Sequence, residues 1–279
     1  MYYPKLHKSM TVNIVKGFRG VWQISCVPSG GLWISDGNNL TSIMTNAYSG
    51  FQDRTDIGLV SYGIHTVKTT CSLIYIDREF NINQLSTDIR KKYTLIERNK
   101  PWIPLCVYSS RFNGDILVGM LNTTTWAGRV MRYDTTGQYI MTIQHNGTGQ
   151  DLYNLPSYIT ENRNGDVIVS DLTDIDINDY GCGAVVVTDL KGRHRFSYKG
   201  YPSSGSELWP RGICTDALSC ILVCDSRTNT IHIIDKDGNF VWQMETQNFG
   251  IDVPIGLSYD NKSQLLWVGS LNNKVCAIK

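Results

Sequence analysis

The chain has 279 residues, 42% of them hydrophobic and 18% charged, enough to bury a large core. Lys and Arg number 26 against 25 Asp and Glu. The formal net charge of +1 excludes a global pull toward nucleic acid, an anionic membrane or an acidic partner. No apolar run approaches the roughly 18 residues of a membrane helix, and none near Met1 suits a secretory leader. A cytoplasmic chain without membrane contact is expected.

In chain order, the first β-rich run is residues 11–15, Thr-Val-Asn-Ile-Val, which stands alone. A recurring pattern follows: a short strand, a polar turn, an apolar strand ending in Asp or Gly, a third strand, a D-x-x-G-like turn and a fourth strand. Near the start it is Trp22-Gln-Ile-Ser25, Gly30-Gly-Leu-Trp-Ile-Ser-Asp36 and Leu40-Thr-Ser-Ile-Met44. A weaker copy is Gly63-Ile-His-Thr66, Leu73-Ile-Tyr-Ile-Asp77 and Asn81-Ile-Asn-Gln-Leu85. The third has Trp102-Ile-Pro-Leu105, Asn113-Gly-Asp-Ile-Leu-Val-Gly119 and Arg129-Val-Met-Arg-Tyr133, then Asp134-Thr-Thr-Gly137. The fourth has Pro156-Ser-Tyr-Ile-Thr160, Asn164-Gly-Asp-Val-Ile-Val-Ser-Asp171 and Ala184-Val-Val-Val-Thr188, then Asp189-Leu-Lys-Gly192. The clearest copy is Pro210-Arg-Gly-Ile-Cys-Thr-Asp216, Cys220-Ile-Leu-Val-Cys-Asp225 and Thr230-Ile-His-Ile-Ile-Asp235, with the turn 236–239 leading to Phe240-Val-Trp-Gln-Met244. The last copy, from Pro254 to Ala277, supplies three strands only.

Matching positions at Gln23, Gly63, Pro104, Tyr158, Gly212 and Gly256 lie about 40 to 54 residues apart, the size of a four-stranded propeller blade. Continuous apolar runs suit strands packed on both faces. Asn-Gly, Asp-Gly and Thr-Gly pairs supply the positive φ of hairpin turns. The sequence therefore predicts an all-β, six-bladed propeller in one domain. Its blades are expected at 21–57, 61–99, 101–153, 154–209, 210–253 and 254–279. Residues 10–18 are expected to complete the last blade, the 11–15 strand closing the ring and removing its open edges. The eight cysteines fall mostly inside apolar strands and read as free thiols. The sequons at Asn39, Asn122, Asn146 and Asn261 carry no weight without secretion.

The P-x-G-I, G-x-I-x-V-x-D and I-x-I-x-D-x-x-G elements of residues 156–197 and 210–244 resemble the NHL repeat. Blades two and three depart from it: Gly119 replaces the strand-ending Asp, and residues 78–100 lack a clear D-x-x-G turn. The resemblance implies a domain like the C-terminal propeller of tripartite-motif (TRIM) ubiquitin ligases, a non-catalytic module that recruits a protein substrate. Ligase activity itself would need zinc-binding domains, and the chain has no C-x-x-C/H array for them. Structured RNA is the alternative partner that the resemblance implies. DNA is not expected.

The candidate protein-binding residues are Trp22, Tyr62, Trp102 and Arg211, aromatic and Arg side chains at the entries to inner strands. The candidate RNA contacts are the basic clusters Arg90, Lys91 and Lys92, and Arg193 and Arg195. A third reading is a lactonase-like propeller enzyme, which would place a metal in the central channel. Trp22, Tyr62, Ile103, Ser157, Arg211 and Ile255, expected around one mouth, offer no oxygen-rich shell, so no metal or cofactor is expected. Asp36, Asp77, Asp171 and Asp225 recur at one repeat position and read as caps on backbone N–H groups. Asp174, Asp176 and Asn178 alternate like a calcium loop, but Asp179 stands at the sharp turn where Gly is needed, and the closing Glu is missing. His232 reads as a satisfied strand histidine.

Overall fold

The computed structural model describes residues 6–11, 20–36, 40–43, 64–87, 91–173, 182–201 and 205–279. The first strand is β1 (Leu6–Thr11). Blade one contains β2 (Gln23–Cys26), β3 (Leu32–Ser35) and β4 (Leu40–Ile43). Blade two contains β5 (His65–Val67), β6 (Leu73–Ile76), β7 (Ile82–Leu85) and β8 (Lys92–Ile96). Blade three contains β9 (Trp102–Ser109), β10 (Ile116–Asn122), β11 (Gly128–Tyr133) and β12 (Tyr139–Ile143). Blade four contains β13 (Leu155–Glu161), β14 (Val167–Leu172), β15 (Gly183–Thr188) and β16 (His194–Tyr198). Blade five contains β17 (Pro210–Thr215), β18 (Ile221–Asp225), β19 (Thr230–Ile234) and β20 (Phe240–Glu245). Blade six contains β21 (Pro254–Asp260), β22 (Leu265–Ser270) and β23 (Lys274–Ile278). Each sheet is antiparallel, and the first strands of successive blades touch in sequence until β21 meets β2. The fold is an all-β ring of six blades, as the repeat predicts.

Packing explains the sequence pattern. The second strands β3, β6, β14, β18 and β22 are buried throughout, because both faces meet neighbouring blades. The outer strands β8, β12 and β16 expose most of their residues. Three outer hairpins share one turn. The Oδ1 atoms of Asp134, Asp189 and Asp235 each accept N–H bonds from residues two and four positions on, at 2.8–2.9 Å. The turns end at Gly137, Gly192 and Gly238, all at positive φ. Gly137 has a second constraint: a Cβ there would lie 2.3 Å from the Leu95 carbonyl oxygen of the preceding blade.

The ring closes through β1, which pairs antiparallel with β23 from Thr11 opposite Lys274 to Lys8 opposite Ala277. The closing strand is therefore Leu6–Thr11 rather than 11–15, and residues 12–15 lie outside the described residues. Residues 11–15 are the more β-branched run, which favours them on strand propensity alone. An outer strand needs only its main chain to complete the ladder, and the polar segment LHKSMT serves. All eight cysteines are free. Among the described residues no helix is long and apolar enough to cross a membrane.

Candidate functional site

The six inner strands run from one end of the ring axis to the other, and the two ends are built differently. At the end where they begin, the filled end, a buried side chain spans the axis. The Tyr158 hydroxyl, on β13, donates to the Trp22 carbonyl in the opposite blade at 2.8 Å, and Tyr158 is buried. β-Bulges interrupt the inner strands of blades three to six here, leaving Leu105, Ser157, Arg211–Gly212 and Ile255 out of register. A Cβ on Gly212 would sit 2.3 Å from the Ile255 carbonyl oxygen, so only glycine permits this approach of β17 to β21.

At the other end the strands finish in short polar residues. Ser25, Thr66, Ser109, Thr160, Thr215 and Ser258, one from each blade, line a cavity of about 240 Å³. Side chains this short cannot fill the axis. Ser109 is buried, and its hydroxyl has no hydrogen-bond partner. Glu161, the last residue of β13, also lines the cavity. Its Oε1 accepts from Arg132 Nη2 at 2.8 Å and its Oε2 from Ser110 Oγ at 2.5 Å. Arg132 Nη1 stands 3.6 Å from Asp115. Thus a buried guanidinium on β11 holds one carboxylate from its own blade and one from the next.

Arg111 crosses this mouth. It sits in the turn after β9, closed by Ser110 N–H to Asp115 O and Gly114 N–H to Ser110 O. Both terminal nitrogens reach the Tyr259 carbonyl, in the opposite blade, at 3.4 Å. Arg163 lines the same cavity from blade four. Burial pushes the Cys26 thiol up to about 11, against smaller downward pulls from the Ser258 hydrogen bond and Arg111. Burial also pushes Cys214 and Tyr108 upward. The thiols of this mouth are therefore protonated and poor nucleophiles.

The candidate protein-binding residues lie elsewhere. Trp22 packs half-buried against the cluster of Tyr158, Ile213 and Ile255. Trp102 packs with the core of blades two and three, with the Arg129 guanidinium 3.6 Å above its ring. Arg211 stacks 4.7 Å from the Trp209 ring. Tyr62 lies outside the described residues. Of the basic clusters, Arg90 is also outside. Lys91 is exposed, and Lys92 stands 3.7 Å from Asp77. Arg193 pairs with Asp189, and Arg195 bridges Asp166 and Asp237. The structure does not gather these charges with Arg211. The signals that would have found the cavity are the Ser and Thr residues at equivalent strand ends, with Glu161 and Arg111 among them.

Three of the recurring aspartates act as caps, Asp77 accepting from the Glu79 and Asn81 N–H groups within its own turn. Asp171 accepts from the Asn154 and Leu155 N–H groups, and Asp225 from those of Trp209 and Arg227. They tie the end of the second strand to the entry of the inner one. Residues 174, 176, 178 and 179 lie outside the described residues. His232 is buried and shares a 3.0 Å hydrogen bond with Tyr198. A channel metal, weighed from the sequence, finds no ligand set among the described residues. Among the described residues no three His, Cys, Asp or Glu side chains come together. The described positions of the filled end, Trp22, Ile103, Ser157, Arg211 and Ile255, supply no carboxylate.

No family model and no curated protein sequence matches the chain. Solved structures do. A virginiamycin B lyase from Staphylococcus aureus, in complex with quinupristin, matches with a TM-score of 0.62 and 16% identity over 99% of both chains. A putative gluconolactonase matches at 0.71 and 12% identity over 98% of this chain and 91% of its own. A gluconolactonase from Xanthomonas campestris matches at 0.64 and 14% identity, over 97% and 88%. These likenesses establish the six-bladed ring and lend no support to an NHL or tripartite-motif assignment. They also correct the expectation of a non-catalytic recruitment module, and with it the reading that the chain is no enzyme. Rings of this shape and length carry enzymes. The missing oxygen shell concerned one end of the axis only, and the cavity lies at the other. The chain shares a fold with lactonase and lyase propellers.

Proposed function

We propose that the chain is a lactonase-like propeller enzyme that opens a small, oxygen-rich cyclic ester at the mouth crossed by Arg111. One observation carries this reading: a polar axial cavity of about 240 Å³ lined by both a buried carboxylate, Glu161, and a guanidinium, Arg111. Drug-sized sites start at roughly 300 Å³, so the cavity suits a molecule of a few carbons with hydroxyl groups. The Ser and Thr ring offers hydroxyl partners for such a ligand.

The step needs no group beyond these residues and water. Water attacks the ester carbonyl carbon and gives its proton to Glu161, which Arg132 and Ser110 orient. Arg111 stabilises the negative charge gathering on the carbonyl oxygen. The ring C–O bond then breaks, and the leaving oxygen takes the proton back from Glu161. A hydroxy acid results. The test is acid release from γ- and δ-aldonolactones, followed by pH-stat against the spontaneous rate. Wild type is expected to exceed that rate, and E161Q to lose about 100-fold or more, the usual scale of general acid–base catalysis. R111Q, at an exposed position, separates lost chemistry from lost folding and is expected to fall about 100-fold. Folded wild type that never exceeds the spontaneous rate would end the reading.

A further inference from the structure

The cavity shares a wall with a second one. The neighbour, of about 260 Å³, is lined by Val27, Pro28, Thr69, Asp260 and Lys262, and Cys26, Val67, Arg111 and Asn261 line both. Arg111 is the long, exposed side chain among the four. Its two contacts to the Tyr259 carbonyl are at the long limit for hydrogen bonds, and both fall on one neutral oxygen. Among the described residues, neither Arg111 nor Arg163 pairs with a carboxylate. Asp216 and Asp260, on the same face, are held within their own turns, Asp216 by the Leu218 and Cys220 N–H groups and Asp260 by Lys262 N–H and Ser263 Oγ. The buried Ser109 hydroxyl, unpartnered, points independently to a polar ligand in this space.

We infer that the mouth binds a small molecule bearing a free carboxylate, which Arg111 grips with both nitrogens in place of the Tyr259 carbonyl. A carboxylate offers two charged oxygens to a guanidinium fork, where the carbonyl offers one neutral oxygen at long range. Leaving Tyr259 moves a side chain that lines both cavities, so the bound molecule can reach from one toward the other. Arg163 adds a second positive charge at the entrance, and Ser109 takes a hydroxyl or carbonyl of the same molecule. The inference rests on the lactonase reading only where the bound molecule is called a product. There the carboxylate that Arg111 holds is the one that ring opening makes from the carbonyl whose oxygen the same guanidinium stabilises.

The experiment is calorimetric titration with succinate and glutarate, and with their neutral diamides, of wild type, R111Q, R163Q and S109A. A dicarboxylate is expected to bind, its diamide at least 10-fold more weakly. R111Q is expected to lose about 10-fold or more in affinity and R163Q less, with unchanged melting. Equal affinity for acid and diamide, unaltered binding by R111Q, or no dicarboxylate binding at millimolar concentration would overturn the inference. Binding without lactone opening would sink the enzymatic reading alone. Opening of neutral lactones that dicarboxylates fail to inhibit would sink the carboxylate site alone.

Discussion

The two ends of the axis are made by the same six strands and differ in what those strands carry. At the filled end, Tyr158 spans the ring to Trp22, and Gly212 lets β17 approach β21. At the open end, six Ser and Thr side chains leave a gap, and Arg111 spans it with two long contacts. Both ends have a bridge between opposite blades, but one is buried and short and the other exposed and weak. A propeller closes its ring with main-chain ladders and interblade packing, so the axis itself need not be filled. Where it is filled, it contributes stability. Where it is left polar and open, it is available for a ligand.

The largest expected effect lies in the wall of the open end. Arg132→Met leaves Glu161 buried without its guanidinium partner, which typically costs about 3–5 kcal/mol. Urea unfolding of the purified variant measures it. A loss under 1 kcal/mol would mean that Glu161 is not held by this pair. Next is the filled end. Tyr158→Phe keeps the packing but strips the Trp22 carbonyl of its buried donor, for an expected loss of about 1–3 kcal/mol. If Tyr158→Phe is neutral, the hydroxyl bridge adds nothing and the contrast between the ends reduces to cavity size.

The pH dependence sharpens the contrast, because two strongly shifted groups lie outside the cavity. Burial pushes Asp171 up to about 7, against the N–H groups of Asn154 and Leu155. Burial pushes His65 down to about 4, its ring bonded to Ser35 and the Trp33 carbonyl. Asp171 has a folded pKa above its unfolded one, so its contribution is full below about pH 4 and is lost as pH rises toward 7. His65 has a folded pKa below its unfolded one of 6.5. Its contribution is full above that value and is lost as pH falls toward 4. The slopes oppose each other across one window, so wild-type stability should change little there. D171N should leave the His65 slope alone, with stability rising from pH 4 to 6.5. Urea midpoints of wild type and D171N at several pH values test this, and a D171N curve parallel to wild type would refute the Asp171 shift.

The ring was legible in the sequence because burial on both faces forces continuous apolar second strands, and the Asp…Gly outer turns mark their spacing. Local errors came where main-chain effects decide. The closing strand is polar because an outer edge asks only for a ladder. The bulges place Cys106, not Pro104, opposite Gly119 and level with Tyr158, so a count along the chain slips by two. The site was not legible for a different reason. Ser25, Thr66, Ser109, Thr160, Thr215 and Ser258 are ordinary strand residues one at a time, and only ring closure brings them to one axis. Arg111 lies in a turn whose reach across the mouth no spacing rule reveals. The mouth expected to hold any metal shell lies at the entries of the strands, while the cavity lies at their exits.

The smallest expected effect is also the most diagnostic of the open end. Ser109→Ala removes a buried hydroxyl that has no partner. A satisfied buried hydroxyl would cost about 1 kcal/mol or more to delete, whereas an unsatisfied one already carries its desolvation penalty. The variant is therefore expected to unfold within about 0.5 kcal/mol of wild type, or to be slightly more stable. A group that contributes nothing to folding yet lines a polar cavity is retained at a cost, and ligand binding is the use that the geometry offers it. Urea unfolding of Ser109→Ala and Tyr158→Phe side by side puts the two ends on one scale. Equal losses in both would mean that the Ser109 hydroxyl is engaged in the fold and that the open end is not held free for a ligand.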